Sequence, residues 1–518
     1  MTKAKSSFIK GALILVIANM LVKLIGAAFK IPLTWLIGDD GMGLFSSAYT
    51  LYALMFTIAT SGFPIAISKM VAESLARENE KEARRVFTIS LFVLGILGAI
   101  GASALYFGAH NIAGLIKNTR AEIGIMAISP AVLFVAVSCA FRGYFQGRQN
   151  MLPTALSNIM EALGKLVIGY IAAFFMLRLG IEFAAAGAIY GVAFGTALSA
   201  LLLFCLFLWE KRKSKFSTQG SKNSRSWLSL TKQLFIIAIP ITLGACVQSI
   251  TNVVDTFSIV ARLQLIPGIT EEIANTMFGA YVTKAVTIFG LPLAIIVALS
   301  TALVPAISAS VAEGNFEAGK RATNQALRIT SIFAIGCAAG VWALAMPILQ
   351  TIYGINSIPP YAPILLKTIS LSILFSSLVS VSSAVLQSYN KMHFPVIFMA
   401  IGGLAKLAIN WIFIPKWGIY AAPIATGVCY FLIVALNLIA VAFVVKIKFD
   451  IMGSLMKPLI SAVFLALVAI VSYQFISPVL GVRLSTLISI TLAGLAYLIT
   501  LYLVKGISKK DLALIKKA

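Results

Sequence analysis

The chain has 518 residues, of which 60% are hydrophobic and only 11% are charged, and its formal net charge is +24. Soluble domains carry roughly 25% charged residues, so this composition excludes an ordinary soluble protein and predicts an all-α, polytopic membrane protein. Because one span needs about 20 apolar residues, the hydropathy pattern predicts about fourteen spans, which leave no room for a soluble enzyme domain.

The positive charge indicates membrane topology rather than nucleic-acid binding. Most of the 41 lysines and arginines fall at the N-terminus and in alternate connections between the predicted spans. The remaining connections hold few cations and several acids, for example Asp39 and Asp40. By the positive-inside rule both termini are predicted in the cytoplasm. The basic loops are also expected to attract anionic lipids of the cell membrane.

The first predicted span carries a polar stripe. Its members recur at i, i+4, i+7 and i+11, so they share one helix face: Asn19, Lys23, Gly26 and Lys30. Cations inside a bilayer are costly, and they persist where they meet a water-filled cavity, an anionic partner or the membrane interface. We therefore predict that this helix forms one wall of a positively charged central cavity. For Lys30 and Lys367 there is an alternative, because both lie near the outer membrane boundary, which a long side chain can reach by snorkelling.

Enzyme motifs are missing from the sequence. No P-loop, HExxH or GxSxG with triad partners occurs, and the aspartate pair in GDDGMG is typical of a turn on the outer face. The five cysteines all lie in apolar runs, where cysteine behaves as a small hydrophobic residue. We predict no catalytic residue and no metal ligand, and hence a protein that is not an enzyme.

Further charged residues lie inside the later spans. Glu161 and Lys165 are four residues apart on one predicted helix, and this spacing predicts that they neutralise each other. The seventh span repeats the stripe of the first at i, i+4, i+7 and i+14, and the eighth adds three polar residues: Gln248, Asn252, Asp255 and Arg262, then Tyr281, Lys284 and Thr287.

This surplus of cations predicts what the cavity holds. Lysine and arginine bind phosphate or carboxylate groups, and they repel a cationic drug. We expect Lys23, Arg262 and Lys284 to bind such an anionic group, with Lys30 in the same cationic set. The polar residues of the three stripes are expected to contact the bound substrate.

A weak internal repeat predicts two lobes. Ala66-Ile67-Ser68 recurs as Ala306-Ile307-Ser308, and each copy ends a long apolar segment. An even number of spans per copy makes the copies parallel, which is a design suited to alternating access. The predicted domains are an N-lobe with spans 1–6, a basic cytoplasmic linker, a C-lobe with spans 7–12, and two extra spans with a basic tail: 1–208, 209–232, 233–445 and 446–518.

Three segments carry a resemblance to a known family: IGDDGMGLF after the first span, GFPIAISKMVAE, and FRGYFQGRQNMLPTALSNIMEALGKL. Together they resemble the stage V sporulation protein B-like and MurJ-like polysaccharide-transporter branch of the multidrug/oligosaccharidyl-lipid/polysaccharide (MOP) exporter superfamily. The resemblance implies a two-lobed flippase for undecaprenyl-diphosphate-linked saccharides, such as lipid II, in peptidoglycan or polysaccharide synthesis. It also implies that the two extra spans form a groove for the lipid tail.

The resemblance implies a cavity lined by cations of spans 1, 2 and 8. Lys23 and Lys284 match these positions and Lys30 matches approximately, whereas the second span, between Leu44 and Ser68, has no cation. Some relatives couple transport to sodium or to the membrane potential. Here Asp255 with Asn410 is the candidate cation site, and Lys406 lies one turn from Asn410.

Several functional questions stay open at this level. Lys406, or the Glu161–Lys165 pair, could replace a coupling ion, so coupling to Na⁺, H⁺ or the membrane potential is undecided, and no resident cofactor is expected. The alternative functions are a cation-coupled multidrug exporter of the same superfamily and a membrane scaffold that recruits cell-wall synthesis enzymes. We expect a monomer whose partners are its lipid-linked substrate and membrane lipids, not nucleic acid.

Overall fold

The computed structural model describes the backbone of residues 2–213, 225–294, 296, 307, 310, 313–447 and 452–506, and side chains from residue 14 onwards except at 16, 213, 247 and 248. Within these ranges every regular element is a helix, so the predicted all-α class is confirmed. Some predicted features lie outside the described residues: the middle of the linker (214–224), most of the repeat segment at 306–312, and the basic tail from 507.

The chain divides into two compact units. Unit 1 comprises Met1–Gln264 and Ile269–Gly279. Its helices are α1 (Thr2–Ser61), α2 (Phe63–Ala76), α3 (Glu80–Leu115), α4 (Glu122–Gly147), α5 (Leu152–Met176), α6 (Ile181–Lys213), α7 (Trp227–Leu263) and most of α8 (Glu271–Ala280).

Unit 2 comprises Leu265–Gly268 and Ala280–Ala518. It begins in the π-helical turn Tyr281–Val286, which continues α8, and a second π-helical turn, Met452–Met456, precedes its last helix. The helices between and after these turns are α9 (Phe316–Ala343), α10 (Ala345–Tyr353), α11 (Ala362–Ser370), α12 (Ser372–Ser388), α13 (His393–Trp417), α14 (Ala421–Val445) and α15 (Lys457–Leu503).

The number of spans differs from the sequence-based expectation. Ten described helical segments are long and apolar enough to cross a membrane, or eleven if α11 and α12, bent by 40°, form one span. The segments Ile17–Ala76, His393–Val445 and Met452–Leu503 have 60, 53 and 52 residues. At 1.5 Å per residue each exceeds twice the roughly 30 Å of a bilayer core.

Each of these three long segments is interrupted by one glycine. Gly38, Gly418 and Gly481 have φ angles of 65°, 60° and 69°, a region that glycine enters without the steric cost of a Cβ atom. At Gly38 and Gly481 the helix continues directly on both sides, and Gly418 begins a short 3₁₀ turn, Gly418–Tyr420. The stretch on each side of such a glycine is long enough for one span, so the number of crossings stays a prediction.

Aromatic packing and small residues hold unit 1 together. Phe87 of α3 lies with its ring centroid 4.9 Å from Tyr144 of α4 and 4.8 Å from Phe207 of α6. On the seam between α5 and α6, a Cβ atom added at Gly164 would lie only 2.6 Å from the Cα atom of Gly195. Small residues allow such close backbone approach, which drives helix association in membranes.

The GDDGMG segment is tied to three other parts of unit 1. The Arg120 guanidinium donates two hydrogen bonds to the Asp40 carboxylate, at 2.9 and 3.1 Å, and a third to Glu182 at 2.7 Å. The amide of Asn275, on α8, donates to the Asp40 carboxylate at 2.6 Å and to its backbone carbonyl at 2.8 Å. These bonds connect α1, the start of α4, the start of α6 and α8.

Helix α7 packs against α1, α2 and α3 and thereby belongs to unit 1. The hydroxyls of Thr57 on α1 and Ser249 on α7 are 2.8 Å apart. The sequence analysis assigned this helix to the C-lobe on the basis of the internal repeat. The packing of a helix within one unit does not show which copy of an internal repeat it belongs to. The boundaries of the two lobes therefore stay a prediction.

A glycine-to-alanine pair tests the close approach of α8 to α1. A Cβ atom at Gly279 would collide with the backbone carbonyl of Asp39 and would lie 2.6 Å from the amide nitrogen of Gly43. We expect Gly279→Ala to destabilise the protein by about 1–3 kcal/mol, because overpacking displaces the backbone. The measurement is the thermal unfolding temperature of the purified protein in detergent.

Gly95→Ala on α3 is the matched control, because nothing lies within 4 Å of its added Cβ atom. Alanine is favoured over glycine inside a helix by roughly 0.5–1 kcal/mol, so this variant should unfold at the same temperature or higher. Equal unfolding temperatures for the two variants would contradict the described packing of α8 on α1.

Candidate functional site

The polar stripe of the first span lies along α5. Asn19 and Lys23 are exposed on α1, and Lys30 is half-buried. The Asn158 side-chain amide of α5 donates a hydrogen bond of 3.3 Å to the Asn19 side-chain oxygen. The two helices therefore run side by side, with polar residues on both at this seam.

Lys165 lies in an aromatic setting further along the same seam. Its Nζ atom is 4.3 Å from the Tyr49 ring centroid and 5.1 Å from the Phe29 ring centroid. The same Nζ donates a hydrogen bond of 3.3 Å to the Tyr49 hydroxyl. Lys30 directly follows Phe29 in the chain, so it lies next to the ring that Lys165 contacts. Two cations from different helices thus occupy one region of unit 1.

Glu161 binds Arg142, not Lys165. The Arg142 guanidinium donates to the Glu161 carboxylate at 3.0 Å, and also to the hydroxyls of Ser157 at 3.1 Å and Ser199 at 3.1 Å. The expectation that Glu161 and Lys165 neutralise each other is therefore wrong. The physical reason is that the buried Arg142 guanidinium needs several hydrogen-bond acceptors. The Glu161 carboxylate on α5 points towards α4, where Arg142 lies.

Arg142 is a residue that the sequence analysis missed as an intramembrane charge. The hydropathy pattern predicts a fourth span near residues 123–141, which ends just before Arg142, whereas α4 continues to Gly147 and Arg142 is only 6% exposed. Its flanks are apolar and aromatic, in the run CAFRGYF. This apolar context on both sides of Arg142 is the signal in the sequence that could have placed it inside the span.

The three predicted residues of the eighth span lie in the π-helical turn of unit 2 or directly after it. Lys284 is 1% exposed, and its Nζ atom is 5.7 Å from the Tyr353 ring centroid. The hydroxyl oxygens of Tyr281 and Thr426 are 3.2 Å apart, and Thr287 donates to the Val282 carbonyl at 2.9 Å. π-Helical turns inside α-helices occur frequently at functional sites.

The stripe of the seventh span lies on α7 in unit 1. Asn252 is exposed, Arg262 is half-buried and Asp255 is buried, while the side chain of Gln248 lies outside the described residues. Asp255 belongs to unit 1 and Asn410 to unit 2, so their role as a coupling site stays a prediction. Lys406 and Asn410 are both buried on α13.

No resident metal site emerges from the described ranges, where no three histidine, cysteine, aspartate or glutamate side chains come close enough to share an ion. The described seam between α1 and α5 carries positive charge instead. Lys23, Lys30 and Lys165 supply three ammonium groups, and the single acid beside them, Glu161, already binds Arg142. Such an arrangement is suited to an anionic group.

A double-mutant cycle tests the Arg142–Glu161 pair. Arg142→Met and Glu161→Gln each leave one buried charge without its partner, which costs about 3–5 kcal/mol in such pairs. The double variant removes both charges, so we expect it to recover most of the loss in thermal unfolding temperature. The exposed pair of Glu317 and Lys320 is the control, and Glu317→Gln should leave the unfolding temperature unchanged. A double variant as unstable as the sum of the single variants would contradict this pairing.

Comparison with known proteins identifies relatives over most of the chain. Stage V sporulation protein B of Bacillus subtilis is 29% identical over 453 residues, which is 86% of each chain. Lipid II flippase MurJ of the same organism is 28% identical over 446 residues, 82% of this chain and 80% of the relative. A solved structure of lipid II flippase MurJ in an inward closed conformation has the same fold, with a TM-score of 0.69 and 16% identity over 94% of this chain and 98% of that one.

Two family models also match, MatE over residues 280–412 and the polysaccharide biosynthesis protein family over residues 8–311. The predicted multi-pass membrane location and the prediction of a protein that is not an enzyme are confirmed by these relationships. The residues assigned to binding and coupling stay predictions. With more than half of its length matched by the second of these models, the chain belongs to the polysaccharide biosynthesis protein family.

Proposed function

We propose that this protein moves undecaprenyl-diphosphate-linked saccharides across the bacterial cell membrane by alternating access. The observation that carries the proposal is the uncompensated positive charge between α1 and α5, where Lys23, Lys30 and Lys165 meet one carboxylate that Arg142 already binds. A diphosphate carries about two negative charges and cannot cross the apolar core alone. A lysine-lined path compensates these charges while the polyprenyl tail stays in an apolar environment.

The relatives support the same substrate class. One of them is named a lipid II flippase, and another is named for sporulation. Lipid II and other lipid-linked wall or polysaccharide precursors share the diphosphate, so the same lysines serve any of them. We propose outward export, since such precursors are made on the cytoplasmic face.

We propose a membrane arrangement with fourteen spans, which the three glycine breaks support. If each long segment crosses twice and α11 with α12 forms one span, the described helices provide this number. We propose two lobes of six spans and two further spans, with both termini in the cytoplasm. The basic connections then face the anionic inner leaflet.

Lys284 is assigned to the substrate path in a different conformational state. In the described conformation it is buried beside Tyr353 in unit 2, where it contacts no solvent. Alternating access repacks one bundle against the other around the substrate site. We propose that this repacking exposes Lys284 to the diphosphate, and that the π-helical turn facilitates the change.

Two other classes of function remain as outcomes of experiment. A multidrug exporter of the same superfamily would select cationic compounds, for which the three lysines of unit 1 are unsuited. The function of a scaffold for wall-synthesis enzymes would depend on the basic loops, and substitution of Lys23 would not change it. A resistance panel and the variant described next separate these classes.

Binding of a lipid-linked saccharide tests the proposal. We expect the purified protein to bind lipid II or an undecaprenyl-diphosphate-linked repeat unit. Lys23→Gln should weaken this binding about 10- to 100-fold, because a hydrogen bond to a charged group contributes about 1.5–3 kcal/mol. The measurement is equilibrium binding in detergent, followed by flipping in vesicles.

Lys391→Gln is the matched control, since Lys391 is exposed in the connection between α12 and α13 and its loss removes the same charge. It should bind the lipid-linked saccharide as the wild type does. Equal binding by wild type and Lys23→Gln would contradict the cationic site, and transport of cationic drugs in place of the saccharide would favour the exporter.

A further inference from the structure

We propose that Lys165 of α5 is a phosphate ligand and that it forms, together with Lys30 of α1, a two-lysine site for the diphosphate within unit 1. The proposal rests on the function proposed above and deepens it, because it assigns the diphosphate to a seam between two described helices. It also assigns Arg142 as a positioning residue, which binds Glu161 and so keeps that carboxylate away from Lys165.

Lys165 lies in an aromatic setting that preserves its positive charge. An ammonium group has three N–H donors, and the structure directs one to the Tyr49 hydroxyl at 3.3 Å. The rings of Tyr49 and Phe29 lie 4.3 and 5.1 Å from the same nitrogen. The aromatic faces stabilise the cation without neutralising it, so donors and charge remain for an anion.

The charge balance at this site is positive. Glu161 is one helical turn from Lys165, yet its carboxylate is 3.0 Å from the Arg142 guanidinium. In the part of the chain that the structure describes, neither Lys30 nor Lys165 has a carboxylate within ion-pair distance. Two neighbouring cations at membrane depth repel each other, and an arriving dianion removes this repulsion.

The seam is rigid at this site. A Cβ atom at Gly169, one turn beyond Lys165, would lie 3.1 Å from the Phe29 ring, so α5 packs tightly on α1 at this point. The ring of Phe45 lies 5.9 Å from that of Phe29 and 5.3 Å from that of Tyr49. Packing therefore fixes both rings that hold Lys165, and the site is formed before a ligand arrives.

The site matches a diphosphate in charge. Two lysines on adjacent helices provide two charges for a group with about two negative charges. An inorganic diphosphate presents the same chemistry as the lipid-linked one. A site within the membrane selects the lipid-linked form, because the polyprenyl tail places its diphosphate near the bilayer.

The test measures binding of undecaprenyl diphosphate to the purified full-length protein in detergent. We expect Lys165→Gln to weaken binding about 10- to 100-fold and Lys165→Arg to retain it within a few fold. Undecaprenol has no phosphate and should not compete with the bound lipid. Inorganic diphosphate at the same concentration should compete poorly, and strong competition by it would overturn the assignment to the lipid-linked form.

Lys367→Gln provides a matched control. Lys367 is also a lysine over an aromatic ring, with its Nζ atom 5.5 Å from the Trp342 ring centroid, but it belongs to unit 2 and not to the proposed site. Its loss should leave binding of undecaprenyl diphosphate unchanged. Weakening by Lys367→Gln equal to that by Lys165→Gln would show a general charge effect and overturn the proposal.

The remaining outcomes separate this proposal from the proposed function. If Lys165→Gln binds like the wild type while Lys23→Gln does not, the diphosphate site lies elsewhere and the proposed function stands. If the wild type does not bind the lipid at all, both are overturned. If Lys165→Gln and Lys165→Arg lose binding together with thermal stability, Lys165 is only a structural residue.

Discussion

The structure of unit 1 depends on how its membrane-spanning helices accommodate positive charge when they carry very few acidic side chains. Arg142 is the most constrained case, since it is nearly fully buried and is bound by one carboxylate and two serine hydroxyls from α5 and α6. Because Glu161 binds this arginine, the lysines on α1 and α5 have no carboxylate within ion-pair distance among the residues that the structure describes. A structural ion pair therefore determines the charge of the neighbouring surface.

The same helices combine this charge with close packing. Glycines on α5 and α6 allow the two backbones to meet, and Gly279 of α8 contacts α1 where the GDDGMG segment begins. Small residues permit contacts without polar groups, and charged side chains meet at separate places, such as the Asp40–Arg120 pair and the Arg148–Glu80 pair. Packing and charge are thus separated along the same helices.

Composition and periodicity predicted the helical class, the membrane location and the stripe on α1, because these depend on local sequence. The partner of Glu161 could not be predicted this way. Spacing along one helix suggested Lys165, but the choice of Arg142 depends on how α4 packs against α5 and α6. The burial of Lys284 and the assignment of α7 to unit 1 were also beyond sequence patterns, since both depend on tertiary packing in one conformation.

The single-glycine breaks limit how much of the chain at these connections is exposed outside the cell. In the proposed topology Gly38, Gly418 and Gly481 all lie at outward-facing connections, and Gly180, with a φ angle of 128°, joins α5 to α6 on the same side. Chain reversals this short leave few residues beyond the bilayer. These four connections then offer little exposed backbone to extracellular proteases, antibodies or the receptor-binding proteins of phages.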